Sequence, residues 1–463
     1  MRRWGLVSSF VAFVATGCMA AAPPSPGPAA PAGAPAPVAP PGPVSVAPAC
    51  QGVVECGARC AEGAGEGCAA AGQLYAQGRV VKADPNHAAE LYRRGCSLGS
   101  GLACYRIAAM LDNGDGILKD PVTATGFYRQ ACDLGNASGC NDLGYNYEKG
   151  DGGVTPDLPR AVSLYERSCS MGLPLGCKNL GVMVHDGTGT PRDYARALEL
   201  YRRACGQNQP AACNNLGIMY EKGEGVPVSL ETSVEYYRRS CALEHGTGCT
   251  NYGFAVERGR GIAQDPTRAV ELYRKACDLK HNTGCANLGV MYSQGSGVTE
   301  DQGQAALHYH KACGLGHRDS CTWLTEVVAK IRKVCEESGD CVNLGFVTER
   351  GLGTTADVGL AAQYYDQACG AGHAIGCSNL GILYENGTGV QSDLRLAAEI
   401  YQKACDMGGA TGCNNLGLLH EKGLSVAQDL PRAVELFRKG CQLGGQRACD
   451  NLKRVAPRGG GSL

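Results

Sequence analysis

The stretch YYRRSCALEHGTGCTNYG, residues 236–253, carries two cysteines, Cys241 and Cys249, with seven residues between them. Nearly the same phrase returns about every 36 residues along the chain. In the first half of the chain this spacing joins Cys60 and Cys68, Cys96 and Cys104, Cys132 and Cys140, Cys169 and Cys177, and Cys205 and Cys213. After Cys241 and Cys249 it joins Cys277 and Cys285, Cys313 and Cys321, Cys369 and Cys377, Cys405 and Cys413, and Cys441 and Cys449. One interval is 37, from an extra residue in the loop GDGGVTPDL. Self-similarity on this scale marks a solenoid, whose units bury their apolar faces only against their neighbours.

Each unit reads as two helices. The first is expected to open at the second cysteine, as in CNNLGIMYEKG from Cys213, where Leu216 and Tyr220 share a face. It stops at a glycine present in every complete unit, from Gly78 and Gly114 to Gly387 and Gly423, suited to a left-handed helix end. The second helix starts at an N-cap residue: Asp84, Asp120, Asp157, Asp193, Ser229, Asp265, Asp301, Asp357, Asp393 or Asp429. It carries an aromatic residue four before the first cysteine, Tyr92 to Tyr401 and finally Phe437, which helical spacing assigns to the core. The two cysteines therefore flank a tight turn between helices. The residue before the second cysteine is always Gly, Ala or Ser. Such a turn brings the two α-carbons within disulfide range. With no C-x-x-C anywhere, zinc is a poor alternative.

The 27 cysteines agree with this by parity. With Cys18 set aside and the regular pairs counted, four remain: Cys50, Cys56, Cys335 and Cys341. Pairing Cys50 with Cys56 and Cys335 with Cys341 accommodates them, although sequence alone leaves that pairing open. Disulfides compensate for a thin core, since aromatics are 6% of the chain and Phe numbers only 6. They also imply export to an oxidising compartment. Lys and Arg number 43 against 44 Asp and Glu, which gives no electrostatic footprint for nucleic acid.

The beginning MRRWGLVSSFVAFVATGC fits that export. Arg2 and Arg3 precede a short apolar run, as in a secretory signal over residues 1–17. VATGC resembles the cleavage site of bacterial lipoproteins, which makes Cys18 the lipidated first residue of the mature chain. Met19 in the next position resembles outer-membrane sorting. Cleavage near residues 20–22 is the alternative. Residues 18–49 are rich in Pro and Ala and read as an extended tether.

The motifs L-G-x-x-Y in the first helix, the G-x-G-V turn, the Asp cap and A-x-x-Y before the cysteine identify residues 56–455 as similar to the Sel-1-like repeat, a relative of the tetratricopeptide repeat. The paired cysteines resemble those of the Helicobacter cysteine-rich proteins. The resemblance implies an all-α fold, a right-handed α/α superhelical solenoid of disulfide-stapled helix pairs, with a concave groove lined by the first helices. It implies an interaction scaffold for protein or peptide segments. Some cysteine-rich relatives are described as penicillin-binding proteins or weak β-lactamases, so an amide hydrolase of the bacterial envelope is a second reading and a passive envelope spacer a third.

One unit departs from the pattern. The interval from Cys321 to Cys341 is only 20 where 36 is normal, and both the glycine turn and the Asp cap are missing. TWLTEVVAKIRKVCEESGD is expected to form one helix over residues 322–341, joining a first block at 50–321 to a second at 342–455, with a bend or hinge between them. Residues 456–463 are expected to be a disordered tail.

Candidate binding residues fall two after the second cysteine. Eight of twelve such positions are Asn, including Asn179, Asn215, Asn251, Asn287, Asn343, Asn379 and Asn415; Trp323 takes the slot at the irregular joint. Asn is a mediocre helix former, so helix stability does not explain the column. It either braces each turn or hydrogen-bonds the backbone of a bound peptide. Trp323 is either a packed spacer or an exposed anchor. His245, His281, His317 and His373 lie four after a first cysteine and read as solvated turn residues. Catalytic motifs are wanting: there is no S-x-x-K, no H-E-x-x-H and no phosphate-binding loop. GCSLG at residues 95–99 matches G-x-S-x-G only formally, because it ends a helix beside a paired cysteine. No catalytic residue, cofactor or metal is expected.

Overall fold

The computed structural model describes residues 50 and 52–455. The expected signal segment, Cys18, the tether and the tail lie outside the described residues. Among those described there are 23 helices and no strand. In chain order they begin α1 (Val53–Ala61), α2 (Gly65–Gln77), α3 (Pro85–Ser97), α4 (Gly101–Asn113), α5 (Pro121–Asp133), α6 (Ala137–Lys149), α7 (Leu158–Ser170) and α8 (Pro174–Asp186). Next come α9 (Tyr194–Gly206), α10 (Pro210–Lys222), α11 (Leu230–Ala242), α12 (Gly246–Arg258), α13 (Pro266–Asp278), α14 (Asn282–Gln294), α15 (Gln302–Gly314) and α16 (Arg318–Ser338). The last are α17 (Val342–Arg350), α18 (Val358–Gly370), α19 (Ala374–Asn386), α20 (Leu394–Asp406), α21 (Ala410–Lys422), α22 (Leu430–Gln442) and α23 (Gln446–Val455). Together they build a right-handed α/α superhelical solenoid.

The helix limits follow from local chemistry. Every expected Asp, and Ser229, accepts a hydrogen bond from a backbone N–H in the first turn of its second helix, as Asp265 does from Arg268 at 2.9 Å. First helices end on glycines in the left-handed region, such as Gly223 at φ 75°. They begin earlier than the sequence suggested: α10 opens at Pro210, three residues before Cys213. The second cysteines Cys68, Cys104, Cys140, Cys177, Cys213, Cys249, Cys285, Cys377, Cys413 and Cys449 therefore do not open their helices but sit inside the first turn. There each faces the end of the preceding helix. The turn also needs a positive φ three residues after the first cysteine. Where glycine is absent there, Asn208, Glu244 and Lys280 adopt φ 61°, 60° and 59°.

All eleven regular pairs are bonded, with Cα atoms 4.4 to 4.9 Å apart. Cys60 is joined to Cys68, Cys96 to Cys104, Cys132 to Cys140, Cys169 to Cys177, Cys205 to Cys213 and Cys241 to Cys249. Beyond them Cys277 is joined to Cys285, Cys313 to Cys321, Cys369 to Cys377, Cys405 to Cys413 and Cys441 to Cys449. The pairing that the sequence left open is also settled: Cys50 is joined to Cys56 and Cys335 to Cys341. In the chain-entropy view each short loop so closed contributes roughly 2 to 3 kcal/mol.

Inside a unit, the Leu-Gly of each first helix receives the aromatic ring of the second. A methyl placed on Gly217 would fall 2.5 Å from Cε1 of Tyr237, and Gly181, Gly253, Gly289, Gly345, Gly381 and Gly417 meet the rings of Tyr201, Tyr273, Tyr309, Tyr365, Tyr401 and Phe437 in the same way. The rings are almost wholly buried. Successive first helices also pack on one another, as α10 does on α12, α12 on α14 and α19 on α21, whereas successive second helices make no comparable contact. First helices therefore form the inner layer.

The joint is α16, a single helix of 21 residues. Cys321 in its first turn pairs back to Cys313, as in any first helix. Its second half carries Val327, Ile331 and Cys335 at the spacing of Ala, Tyr and Cys in a second helix, all buried. One helix thus serves as the first helix of one unit and the second of the next. The missing turn removes one chain reversal, so every later helix runs opposite to its counterpart. Asn343, at the start of α17, lies against Gly303, at the start of α15, and the two helices pack together. Where the sequence suggested a hinge, the structure has a change of layer: inner-layer α16 leads into the outer layer of the second block, and outer-layer α15 adjoins α17 of the inner layer.

Gly217→Ala is expected to destabilise the chain by roughly 1 to 3 kcal/mol, because the added methyl must displace a buried ring. The urea midpoint reports it. Gly206→Ala is the control, since its added methyl meets nothing within 4 Å, and its midpoint should hold or rise slightly.

Candidate functional site

The inner face of each first helix shows three positions at spacings of three and four, hence on one side. These lie two, five and nine residues after the second cysteine. The first is the Asn column. The second is apolar in nearly every unit: Tyr145, Val182, Ile218, Phe254, Val290, Phe346, Ile382 and Leu418. Tyr145 is 48% and Phe254 40% exposed, and the others are half-buried. The third is often cationic, with Lys149, Lys222, Arg258, Arg350 and Lys422.

The Asn side chains are half-buried and braced from within. Asn179 donates to Asn141 at 2.8 Å and Asn251 to Asn214 at 2.9 Å, so a second, buried amide on the preceding first helix completes the contact. The amides of Asn215, Asn287, Asn379 and Asn415 approach the hydroxyls of Tyr201, Tyr273, Tyr365 and Tyr401, and Asn415 also accepts from Asn414 at 3.1 Å. Three of these tyrosines, and Tyr237 with them, are also anchored by a glutamate. Tyr237, Tyr273, Tyr365 and Tyr401 donate to Glu221, Glu257, Glu349 and Glu385 at 2.6, 2.7, 2.7 and 2.5 Å. Burial, reinforced by the carboxylates, pushes these tyrosine hydroxyls up, so they remain donors. Each half-buried carboxamide keeps donor and acceptor capacity beyond these contacts.

The glutamates are tucked in and the cations stand out. Lys149 is 49% exposed beside Glu148 at 24%, Lys222 60% beside Glu224 at 21%, and Arg258 62% beside Glu257 at 20%. Cations also flank the exposed rings: Lys149 lies 5.9 Å from the centre of Tyr145, Arg258 5.9 Å from Phe254 and Arg350 4.9 Å from Phe346. Hollows open between neighbouring inner helices. One of about 290 Å³ lies between α8 and α10, lined by Val182, Asn215, Ile218 and Lys222.

The expected column is not one surface. The layer change at α16 places Asn179, Asn215, Asn251, Asn287 and Trp323 on one face and Asn343, Asn379 and Asn415 on the opposite one. Trp323 is half-buried, edge-on to Tyr309 at 5.6 Å and beside His317, and it closes the first face with Val290, Gln294 and Lys330. It is packed against Tyr309 and His317 on one side and borders a hollow on the other. The apolar column escaped the sequence reading, although an apolar residue directly after Leu-Gly was its signal.

The turn histidines are half-buried rather than solvated. Nδ1 of His245, His281 and His317 accepts the N–H of Gly248, Gly284 and Ser320 at 3.3 Å, capping α12, α14 and α16. Ser97 is exposed, and its hydroxyl donates to the Arg94 carbonyl at 2.8 Å, as a helix-end serine does. Among the described residues no group of His, Cys, Asp or Glu side chains is placed to hold a metal ion.

Comparison with known proteins agrees with this geometry. The family model described as the Sel1 repeat matches ten segments: residues 65–100, 101–136, 137–173, 174–209, 210–245, 247–281, 283–317, 340–373, 374–409 and 410–445. A protective antigen of uropathogenic Escherichia coli with an SLR fold is similar at 24% identity, over 88% of this chain and 90% of that one, with a TM-score of 0.53. A Sel1 repeat protein from Oxalobacter formigenes matches at 21% identity over 57% and 96% of the chains, with a TM-score of 0.43. Helicobacter pylori cysteine rich protein B matches at 30% identity over 29% of this chain and 96% of that one, with a TM-score of 0.25. No curated protein matches.

A pH dependence follows from His308 on α15. It is 7% exposed, stacked on Tyr292 at 5.5 Å, and its Nδ1 lies 4.0 Å from Sγ of Cys277. Burial, then Lys311 and Arg274, hold its pKa down at about 4. The folded pKa lies below the unfolded value, so the unfolded chain binds the proton first. Stability is expected to fall as pH drops from about 6.5 to about 4, by roughly 3 kcal/mol from this group. Urea unfolding across that range should show a flatter dependence in His308→Gln.

Proposed function

We propose, for a chain that belongs to the Sel1 repeat family, that its inner face binds extended segments of partner proteins. The Sel1 repeat is a scaffold fold that generally mediates protein–protein interaction and is generally non-enzymatic. The observation that carries the reading is the pair of half-buried amide and apolar side chain repeated on successive inner helices, joined by an exposed cation on α10, α12, α17 and α21. Neighbouring helices are about 8 to 10 Å apart, close to three residues of extended chain. At that pitch the amides can bond a peptide backbone, the apolar column can take side chains, and the exposed cations favour carboxylates beside them. The disulfides keep the row preorganised, which lowers the ordering cost of binding.

The same reading places the chain outside the cytoplasm. Thirteen disulfides call for an oxidising compartment. No described helix is long and apolar enough to cross a membrane. Attachment falls to a lipid on Cys18, with the chain on the periplasmic side of a bacterial outer membrane.

Peptides selected from a random 12-residue library on the oxidised chain test the groove. Ile218→Ser with Phe254→Ser should weaken binding of peptides held on that face at least tenfold while leaving the thermal transition in place, and it should abolish the peptide-induced change in Trp323 emission. Equal affinity for all selected peptides in the folded double variant would contradict this placement. For the anchor, a clickable palmitate analogue should label the chain in bacterial envelopes, and Cys18→Ala should remove the label; a labelled variant would refute Cys18 as the attachment point.

A further inference from the structure

We infer that the chain has two separate binding faces on opposite sides and holds two extended segments at once, a step that rests on the groove reading above. The carrier is α16. It faces α14 of the first inner layer across the hollow lined by Val290 and Trp323, while α15, an outer helix of the first block, adjoins α17 of the second inner layer. The inner face of the first block therefore ends at Trp323, and the inner face of the second begins at Asn343 on the other side of the wall made by α15 and α16. A wall two helices thick spans about 20 Å at 8 to 10 Å per layer. An extended segment seated on one face leaves its row of amides before reaching the other.

Hollows at the joint mark both ends. On the first side, about 260 Å³ opens beside Trp323, Val290 and Lys330. On the second, about 640 Å³ opens beside Asn343, Phe346, Ile375 and Asn379. The chemistry of the two differs. Both faces present outward cations along their length, Lys149, Lys222 and Arg258 on the first and Arg350 and Lys422 on the second, so the difference lies at the joint. The second has an apolar floor, with Ile375 64% exposed, under an acidic rim that exists only because the layer change brings the loop before α15 over α17. On that rim Glu300 is 57% exposed and pairs at 3.5 Å with Lys330, where the edges of the two hollows meet, and Asp340 is 40% exposed, 3.8 Å from His373. Each face thus suits a segment with apolar side chains flanked by carboxylates. The second also suits a segment whose apolar side chain is followed by Lys or Arg at the joint.

The experiment selects random 12-residue peptides on the full oxidised chain, then measures competition among them and the saturation stoichiometry. Two non-competing sets are expected, the second distinguished by a Lys or Arg beside the apolar residue that is seated at the joint, with two peptides bound per chain. Phe254→Ser should weaken only the first set and Ile375→Ser only the second, each at least tenfold, with far-UV circular dichroism confirming folded variants. Mutual competition of all peptides at one per chain, or one variant weakening both sets, overturns the two-face inference and leaves a single groove standing. Failure to select any binder overturns the groove reading itself.

Discussion

Each second helix ends in a cysteine whose sulfur is bonded to a cysteine in the first turn of the next helix, across a turn of a few residues. A unit of about 36 residues with few large side chains buries too little to hold two helices in place by itself. The bond fixes the end of one hairpin to the start of the next, so that packing need only complete what the covalent link has begun. The glycine that admits the aromatic ring belongs to the same economy of size: a ring that fits into the backbone notch of its neighbour buries a large side chain without needing a thick core.

The polar chemistry of the inner face grows out of this packing. A tyrosine in the notch brings its hydroxyl to the inner surface, where a glutamate accepts from it and an asparagine of the next unit approaches from the other side. The amide row is therefore aligned by the core, and a side chain braced on one edge is held ready for the binding proposed for it. Drawing the carboxylates inward leaves Lys and Arg as the charges a partner meets. A near-neutral chain thus acquires a face whose outward charge is positive.

Topology then divides that face. Leaving out one turn fuses two helices into α16 without breaking the covalent rhythm, since both of its ends keep their disulfides. Residues such as Leu324 and Val327 lie on the shared part of the helix and pack within a core that spans the two units. The cost in regularity is small, and the consequence is large: what is inside before the joint adjoins what is outside after it.

Much of this was legible in the residues. The cysteine spacing gave the hairpins and their staples, the Asp and Gly positions gave the starts of the second helices and the ends of the first but not the earlier starts of the first helices, and the short interval before Cys341 gave the single long helix. These are local signals, written within a few residues of what they determine. The inward partners of the Asn column were not legible, because Asn141 and Asn214 lie on other helices some 37 or 38 residues away. Nor was the division into two faces. Which side a helix presents depends on how many times the chain has reversed and on how the layers pack, and a column that reads as continuous along the sequence passes through that reversal unmarked.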